Sequence, residues 1–313
     1  MNGGEVVPGE AVPGGAVPGE VVPGGAVPGD LVTVPAEVRD RLTVRFGPAA
    51  EAWCAALPAV VEELARRWGL ELRAAGGGGT SRVFRCERGD GAAVWLKLTP
   101  DPEVAAQEAV ALRAWSGLPS VVRLLATDTA ANALLLADVE PGAPLRQRAW
   151  RPAEVAPLLG ALRSVPVDGL ALRPLGDRVE FLFDLTERRA PGAVPPGARA
   201  FARELAAGGP LALVHGDLHP ANVLDGPAGP VAIDPRPSLG DPDFDLVDWV
   251  LDSVTDRPAL DRAIADLSAR VPGADPARVL AWCRALAVIV AAPRAAAGRH
   301  DPETAFLLEL AGF

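Results

Sequence analysis

The sequence HGDLHPANVL at residues 215–224, followed by VAIDP at residues 231–235, is the stretch that decides the fold. Two short apolar runs flank a Gly/Pro turn centred near Ala228, which predicts an antiparallel hairpin. Antiparallel pairing then places Asn222 beside Asp234 at the open end of that hairpin. An amide oxygen next to a carboxylate suits Mg²⁺, which takes a few oxygen ligands from protein and the rest from water and phosphates. The spacing therefore predicts a magnesium site.

A third polar residue belongs to the same region. Asp217 lies five residues before Asn222, on the loop that leads into the open end of the hairpin. Each residue also has an ordinary structural interpretation: Asp217 can cap a turn, Asn222 can satisfy backbone groups and Asp234 can end a strand. Their combination at this spacing favours a functional site over three independent structural roles.

A second constellation pairs a lysine with a glutamate. Lys97 is the only lysine among the 30 basic residues, and alternation in the strand-like run 92–98 puts it on the face opposite Leu96. In the helix that follows, Glu108 shares an apolar stripe with Leu112, where an unpaired charge is costly. We therefore expect Lys97 to pair with Glu108; an exposed surface ion pair is the alternative.

A glycine-rich segment precedes this strand. Gly76–Gly79 leads into Thr80 and Ser81, a composition that lets backbone amides approach phosphates. The segment matches neither the G-x-x-x-x-G-K-[ST] pattern nor a strict G-x-G-x-x-G pattern, and a flexible linker has the same composition. Its position ahead of the Lys97 strand favours a nucleotide-binding role for Thr80 and Ser81.

Composition excludes several classes of protein. The 313 residues are 49% hydrophobic and 22% charged, which is enough for a sizeable core and excludes wholesale disorder. A net charge of −10 and a pI near 4.9 argue against nucleic acid as a partner, because phosphate neutralisation needs a basic face. Cys54, Cys86 and Cys283 lie far apart, which argues against a disulfide framework or a zinc site and favours a reducing compartment.

Membrane association is not expected from the sequence. The N-terminus lacks a basic region followed by an apolar stretch, and the longest apolar run, Ala285–Pro293, is too short to span a bilayer. We therefore expect a cytoplasmic protein with no membrane partner.

The chain divides into three parts. Residues 5–29 are five copies of a Val-Pro-Gly pentapeptide that builds no core, so we expect residues 1–31 to form a disordered arm; a surface-interaction role and a mis-assigned start codon are alternatives. Strand-like runs predict a small N-terminal lobe at 32–139, and a mainly helical lobe follows at 140–313 after a Glu-Pro-Gly hinge. The runs are residues 81–87, 92–98, 121–127 and 133–139.

These residues together resemble the aminoglycoside phosphotransferase family, and within it the branch of the streptomycin and hydroxyurea phosphotransferases. Order and spacing hold from Pro35 to Trp249. The matching pieces are LKL at 96–98, EAVALRAW at 108–115, LLL at 134–136, HGDLHPANVL at 215–224, AIDP at 232–235 and LGDPDFD at 239–245. The resemblance implies an α+β, two-lobed, protein-kinase-like fold with a small antiparallel-sheet lobe and a larger, mostly helical lobe.

The resemblance also implies ATP- and Mg²⁺-dependent transfer of the γ-phosphate to an alcohol group. Lys97 would bind the α- and β-phosphates with Glu108 holding it in place, and the backbone around Ala137, Asp138 and Val139 would hydrogen-bond adenine. This agrees with the needs of phosphoryl transfer, which are in-line placement of the reactants and cations that take up charge.

For the catalytic loop, the resemblance implies that Asp217 is the catalytic carboxylate and that Asn222 and Asp234 hold Mg²⁺. His215 and Asp241 would be structural supports of this loop.

The acceptor is less sharply defined. The branch usually has Lys-Gly after Ile-Asp-Pro, whereas this chain has Arg236-Pro237. An acidic run either faces a cationic substrate or forms a solvated helix face; its members are Asp241, Asp243, Asp245, Asp248 and Asp252. We expect a monomer acting on a small molecule, an aminoglycoside such as streptomycin; another metabolite, hydroxyurea or a peptide antibiotic are alternative acceptors, and a non-catalytic nucleotide-binding module is the competing class.

Overall fold

The computed structural model describes residues 31–77 and 80–312. All but the last residue of the predicted repeat arm, together with Gly78 and Gly79 of the glycine-rich segment, therefore lie outside the described residues. The chain folds into two lobes, as predicted: an antiparallel sheet with helices on it, and a larger, mostly helical part. The exact boundaries at 31/32 and 139/140 stay predictions.

The N-terminal lobe is built on a five-stranded antiparallel sheet in the order β1-β2-β3-β5-β4. A short turn joins β2 to β3, and the register places Val83 opposite Lys97 and Lys97 opposite Leu134. The strands are β1 (Leu70–Gly76), β2 (Arg82–Arg88), β3 (Ala93–Leu98), β4 (Leu124–Asp128) and β5 (Ala133–Ala137). Three of the four predicted strand-like runs therefore match strands to within two residues.

The fourth run, 121–127, differs from the prediction. Only Leu124–Asp128 pairs with β5, whereas the backbone N–H of Val122 donates to Ala232 in the other lobe at 3.0 Å. The backbone hydrogen bonds of this run therefore go first to the C-terminal lobe and then to β5, because buried backbone N–H and C=O groups need a partner wherever one is available. The segment thus ties the sheet to the C-terminal lobe.

Alternation gives the sheet two different faces. On β3, Leu96 and Leu98 point into a core shared with α1 (Ala36–Phe46) and α2 (Ala49–Trp68), which cover the outer face of the sheet. Lys97 points to the opposite, inner face.

Helix α3 (Pro102–Ala114) follows β3 and starts as predicted. The Asp101 side chain accepts from the backbone N–H of Glu103 at 2.9 Å and of Val104 at 3.4 Å, and Pro102 occupies the first turn. Leu112 is fully buried, and Glu108 shares this buried side of the helix.

The C-terminal lobe packs helices around a single large core. Its helices are α4 (Pro152–Leu162), α5 (Leu175–Arg189), α6 (Ala198–Ala207), α7 (Val247–Leu251), α8 (Arg257–Ser268), α9 (Pro276–Ala296) and α10 (Pro302–Leu310). Two small antiparallel pairs carry the catalytic region, formed by β6 (Ala212–Val214) with β9 (Ser238–Gly240) and by β7 (Val223–Gly226) with β8 (Gly229–Ala232).

Helix α9 is the one described helix that is long and apolar enough to cross a bilayer by length and composition. Trp282 and Cys283 are fully buried, and the helix contacts α5, α6, α7 and α10. This packing is typical of the central helix of a protein core.

Candidate active site

The predicted hairpin is present, and it positions Asn222 and Asp234. Val223 pairs with Ala232, and the Ile233 N–H donates to the Asn222 carbonyl at 2.9 Å, so the two polar side chains leave the same open end. Asp234 has a φ of 55°, in the left-handed region that aspartate tolerates better than most residues.

Both side chains present an oxygen with no donor. Asn222 Oδ1 and Asp234 Oδ2 are buried and have no hydrogen-bond partner among the described residues. Such oxygens are costly to bury unless something binds them. One amide oxygen and one carboxylate oxygen fit a Mg²⁺ ion that also takes phosphate and water oxygens. Within 31–77 and 80–312, no cluster of three or more His, Cys, Asp or Glu side chains offers a fuller protein cage.

Cations hold the other oxygen of Asp234. Its Oδ1 accepts from Lys97 Nζ at 2.6 Å and lies 3.2 Å from Arg236 Nη2. Burial alone raises the pKa of Asp234, but Arg236 and Lys97 outweigh that effect and hold it well below its usual value. Asp234 is therefore ionised at neutral pH, as a metal ligand needs to be.

The predicted lysine–glutamate pair is present. Lys97 Nζ donates to both Glu108 oxygens, at 2.7 and 2.6 Å, and both residues are buried. Burial raises the pKa of Glu108, while the ammonium acts in the opposite direction. The pair fixes Lys97 between α3 and the end of the hairpin.

The catalytic loop is held by backbone hydrogen bonds to one carboxylate. Asp245 accepts from the N–H groups of His215 at 2.6 Å and Gly216 at 2.9 Å. Gly216 has a φ of +76°, and a Cβ there would lie 2.1 Å from the Arg236 carbonyl oxygen, so only glycine fits. Burial raises the pKa of Asp245 to about 7.

His215 supports the loop, as expected, from a buried position. Its Nε2 lies 3.1 Å from the Ile233 carbonyl, and the Asp217 N–H donates to its Nδ1 at 3.4 Å. Burial lowers its pKa to about 4, so the ring is neutral at pH 7. The ring therefore links the loop to the hairpin without carrying charge.

The role predicted for Asp241 differs from the structure. Its buried carboxylate accepts from Arg278 Nε and Trp282 Nε1, both at 2.7 Å, and so anchors α9 instead of the catalytic loop. Asp245, four residues later, carries the loop contacts. A 3₁₀ turn at Pro242–Leu246 decides which carboxylate reaches the loop, and the sequence does not reveal that turn.

Asp217 is fixed by two donors. Arg178 Nη2, on α5, donates to its Oδ1 at 3.0 Å, and Asn222 Nδ2 lies 3.3 Å from its Oδ2. Asn222 Nδ2 also donates to the Asp217 carbonyl at 2.9 Å, which leaves the amide oxygen for another partner. Arg178 Nε donates to the Gly216 carbonyl at 2.8 Å, so one guanidinium holds both the backbone and the side chain of the loop.

A cavity of about 890 Å³ lies on the inner face of the sheet. Lys97 and Asp234 line it, together with Ala137, Asp138 and Val139 from the predicted adenine-binding stretch. The Asp138 side chain accepts from Trp95 Nε1 at 2.6 Å and Arg85 Nη2 at 2.9 Å, which fixes this stretch.

Hydrogen bonding limits what Ala137 can offer to a base. Its backbone N–H already donates to the Arg123 carbonyl at 2.9 Å. Of the predicted adenine-binding groups, the backbone at Asp138 and Val139 is therefore the better placed.

Thr80 and Ser81 lie beside this cavity without lining it. Thr80 Oγ1 accepts from Arg236 Nη2 at 2.6 Å, and the buried Ser81 Oγ has no partner among the described residues. At Gly77 a Cβ would lie 2.5 Å from the Ser81 carbonyl oxygen, so the backbones of these two residues approach closely. Their contact with phosphates stays a prediction.

A second cavity, of about 390 Å³, opens on the other side of Asp217. Of the five aspartates in the acidic run, only Asp248 and Asp252 line this cavity. The other three have partners elsewhere: Asp241 and Asp245 make the contacts described above, and Asp243 pairs with Arg163 at 3.0 Å. Arginines from several helices supply most of its charged lining.

The sequence profile described as aminoglycoside/hydroxyurea antibiotic resistance kinase matches residues 67–298. The chain belongs to this kinase family. Streptomycin 6-kinase of Streptomyces glaucescens is 35% identical over 272 residues, which cover 80% of this chain and 87% of that enzyme. Hydroxyurea phosphotransferase of Kitasatospora aureofaciens is 36% identical over 261 residues, covering 74% and 75%.

Solved structures show the same fold for this antibiotic resistance kinase family member. A thermostable mutant of the aminoglycoside phosphotransferase APH(4)-Ia, in complex with ADP and hygromycin B, aligns with a TM-score of 0.54 at 16% identity, over 80% of this chain and 96% of that one. The family resemblance, the two-lobed kinase-like fold and the assignment as a phosphotransferase are thereby confirmed. The protein is a kinase that uses ATP and acts on a small molecule.

Sequence reasoning missed Arg178 and Asp245 as parts of this kinase site. Arg178 lies 39 positions from Asp217 and outside the motifs quoted above, and Asp245 lies 30 positions from His215, at the end of the LGDPDFD stretch. The only available signal was that Asp245 sits in a dense run of aspartates beyond the Ile-Asp-Pro stretch.

Proposed function

We propose that this kinase transfers the γ-phosphate of ATP, with Mg²⁺, to a hydroxyl group of a small-molecule antibiotic. The observation that carries the proposal is the double role of Asn222. Its Nδ2 holds Asp217, and its Oδ1 is buried and unpartnered at the hairpin end that also carries Asp234. One residue thus joins the carboxylate that would face the acceptor to the site that would face the nucleotide phosphates.

The proton and the phosphoryl group move in a balanced step. The acceptor oxygen forms a bond to the γ-phosphorus, the bond from that phosphorus to the β,γ-bridging oxygen breaks, and ADP leaves. Asp217 accepts the hydroxyl proton, and its orientation is supported by Arg178 and Asn222.

The nucleotide side supplies positive charge. Lys97, held by Glu108, would contact the α- and β-phosphates, and Asp138 and Val139 would receive the adenine. Asn222 and Asp234 would hold Mg²⁺, which when bound neutralises charge on the phosphate oxygens. Thr80 and Ser81 would contribute from the glycine-rich loop.

The acceptors named for the relatives head the list of candidates. They are streptomycin and hydroxyurea; other aminoglycosides, peptide antibiotics and hydroxylated metabolites complete it. We expect the kinase to act as a monomer in the cytoplasm.

The test is a coupled assay of ADP release with Mg-ATP across this panel. Turnover on one acceptor that disappears in Asp217→Ala and persists in Asp261→Ala is the expected result; Asp261 is an exposed residue on α8 paired only with Arg257. Persistent turnover in Asp217→Ala would remove the catalytic role of that residue. Binding of Mg-ATP without acceptor-dependent turnover across the whole panel would favour the non-catalytic module.

A further inference from the structure

The charged lining of the smaller cavity is predominantly basic. Seven arginines line it against three aspartates, Asp217, Asp248 and Asp252. This balance is opposite to the net charge of −10 of the whole chain. The cavity on the acceptor side of Asp217 is therefore basic although the whole chain is acidic.

Four of these seven arginines form ion pairs with carboxylates, and Arg45 is not among them. Arg178 pairs with Asp217, and Arg148 and Arg294 pair with carboxylates that do not line the cavity, at 2.7 and 2.8 Å respectively. Arg45, at the end of α1, has no carboxylate of the described residues within ion-pair distance. Its guanidinium instead lies over the Phe181 ring, 5.0 Å from the centroid.

The surroundings of Arg45 disfavour its positive charge. Burial lowers the pKa of Arg45 to about 10, and Arg236, Arg178 and Arg189 push it in the same direction, with only Asp217 opposing them. A pKa of about 10 still leaves the group charged at neutral pH. A half-buried cation among other cations is destabilising unless an anion joins it.

Arg236 provides a second incomplete interaction. Its side chain is only 9% exposed and reaches Thr80 and Asp234, yet its Nη1 is buried and has no hydrogen-bond partner among the described residues. Arg236 lines the acceptor cavity together with Arg45 and Arg178, whereas Lys97 lines the nucleotide cavity. Arg236 therefore adds an unpaired donor to a residue that lines the acceptor cavity.

We propose that Arg45, Arg178 and Arg236 form an oxyanion-binding site beside Asp217, so that the acceptor is a hydroxylated small molecule carrying a carboxylate or phosphate group. Guanidinium groups bind such oxyanions through paired, charge-assisted hydrogen bonds. This inference rests on the proposed function and narrows its acceptor. It departs from the cationic aminoglycosides, whose charge the arginines would repel.

The remaining carboxylates of the cavity do not reverse this conclusion. Burial raises the pKa of Asp248, and Asp252 is exposed to solvent, which screens its charge. Arg45 also lies outside residues 67–298, the part of the chain that the family profile matches. The proposed anion site thus combines Arg45 with two arginines, Arg178 and Arg236, that lie inside the matched segment.

The test measures binding of inorganic phosphate by calorimetry to the full chain already loaded with Mg-AMP-PNP. We expect Arg45→Gln to weaken phosphate binding about tenfold, because it removes one charge-assisted partner. Arg41→Gln removes the same charge from an exposed position of the same helix and is expected to leave the affinity unchanged. Arg45→Lys, which keeps the charge, is expected to restore part of it.

Three results would overturn the proposal. Phosphate binding that is absent, or equally strong in Arg45→Gln and Arg41→Gln, would remove the site. Phosphate binding that disappears when Mg-AMP-PNP is bound would assign the arginines to the terminal phosphate of the nucleotide. Displacement of phosphate by streptomycin would show that the cavity prefers a cation. Failure of Mg-AMP-PNP to bind would instead contradict the proposed function, and the phosphate result without nucleotide would still stand.

Discussion

The two cavities on either side of Asp217 are built in different ways. The nucleotide cavity, of about 890 Å³, is lined by strands of the sheet and by the end of a hairpin, and two of its charged groups, Lys97 and Asp234, pair directly with each other. The acceptor cavity, of about 390 Å³, is lined mainly by helices, and its arginines come from places far apart in the chain. The strand register determines which side chains line the nucleotide cavity, whereas the packing of helices determines which line the acceptor cavity.

This difference has a functional consequence. Strand register leaves little freedom, because a shift by one residue turns every side chain to the other face of the sheet. Helix faces accept substitutions one residue at a time. The nucleotide side is therefore the more constrained part of this kinase, and the acceptor side tolerates more change.

The strongest test of this comparison is removal of the metal ligand at the nucleotide side. Asp234→Asn, or a chelator added to the wild type, is expected to reduce kcat/KM about 1,000-fold or more, because metal ions contribute several kcal/mol to such transfers. ADP release as a function of Mg²⁺ concentration measures the effect. Full turnover in the presence of chelator would contradict the assignment, and Asp225→Asn, outside the network, serves as the control.

The buried lysine pair provides the next test. Lys97→Met is expected to lower kcat/KM about 100-fold and to reduce the free energy of unfolding by about 3 kcal/mol, because Glu108 loses its partner. Replacing both residues, as in Lys97→Met with Glu108→Leu, should recover the stability and none of the activity. Thermal melts and ADP release separate the two effects; recovered activity would reduce Lys97 to a structural residue.

A positioning residue on the acceptor side should behave differently. Arg178→Gln is expected to lower kcat about 30-fold while leaving the affinity for Mg-AMP-PNP unchanged, because it releases Asp217 and does not line the nucleotide cavity. Arg188→Gln, at an exposed position of the same helix, is the matched control. A loss of nucleotide affinity equal to the loss of kcat would show that the two cavities are not independent.

The smallest effect concerns the loop between the cavities. His215 has a pKa of about 4 when folded and near 6.5 when unfolded, so the unfolded chain binds the proton first and acidification destabilises the fold. At pH 5.5 this costs about 1.4 kcal/mol, a penalty that His215→Gln lacks. The stability difference between wild type and variant should therefore shrink as the pH falls from 7 to 5.5, as thermal melts would measure. An unchanged difference would mean that the ring has the same pKa in the folded and the unfolded chain.

Sequence reasoning was successful where chemistry and local geometry coincide. The hairpin follows from two apolar runs around a turn, and the Lys97–Glu108 pair follows from the periods of a strand and a helix. Arg178 reaches Asp217, and Arg45 reaches the same cavity, only through tertiary packing, and no local pattern distinguishes them from the other arginines. The error at Asp241 has a similar cause, because one tight turn determines which of several closely spaced aspartates meets the loop.

The position of α1 affects how substitutions can change the acceptor that the kinase prefers. The helix packs on the outer face of the sheet through Val38 and Leu42. Only its last turn, at Arg45, lines the acceptor cavity. Replacing the last turn of α1, which includes Arg45, is expected to change the acceptor that binds while the residues that bind the nucleotide stay in place. In the proposed site, acceptor preference can therefore change at Arg45 on this helix while Arg178 and Arg236 stay in place within the matched family segment.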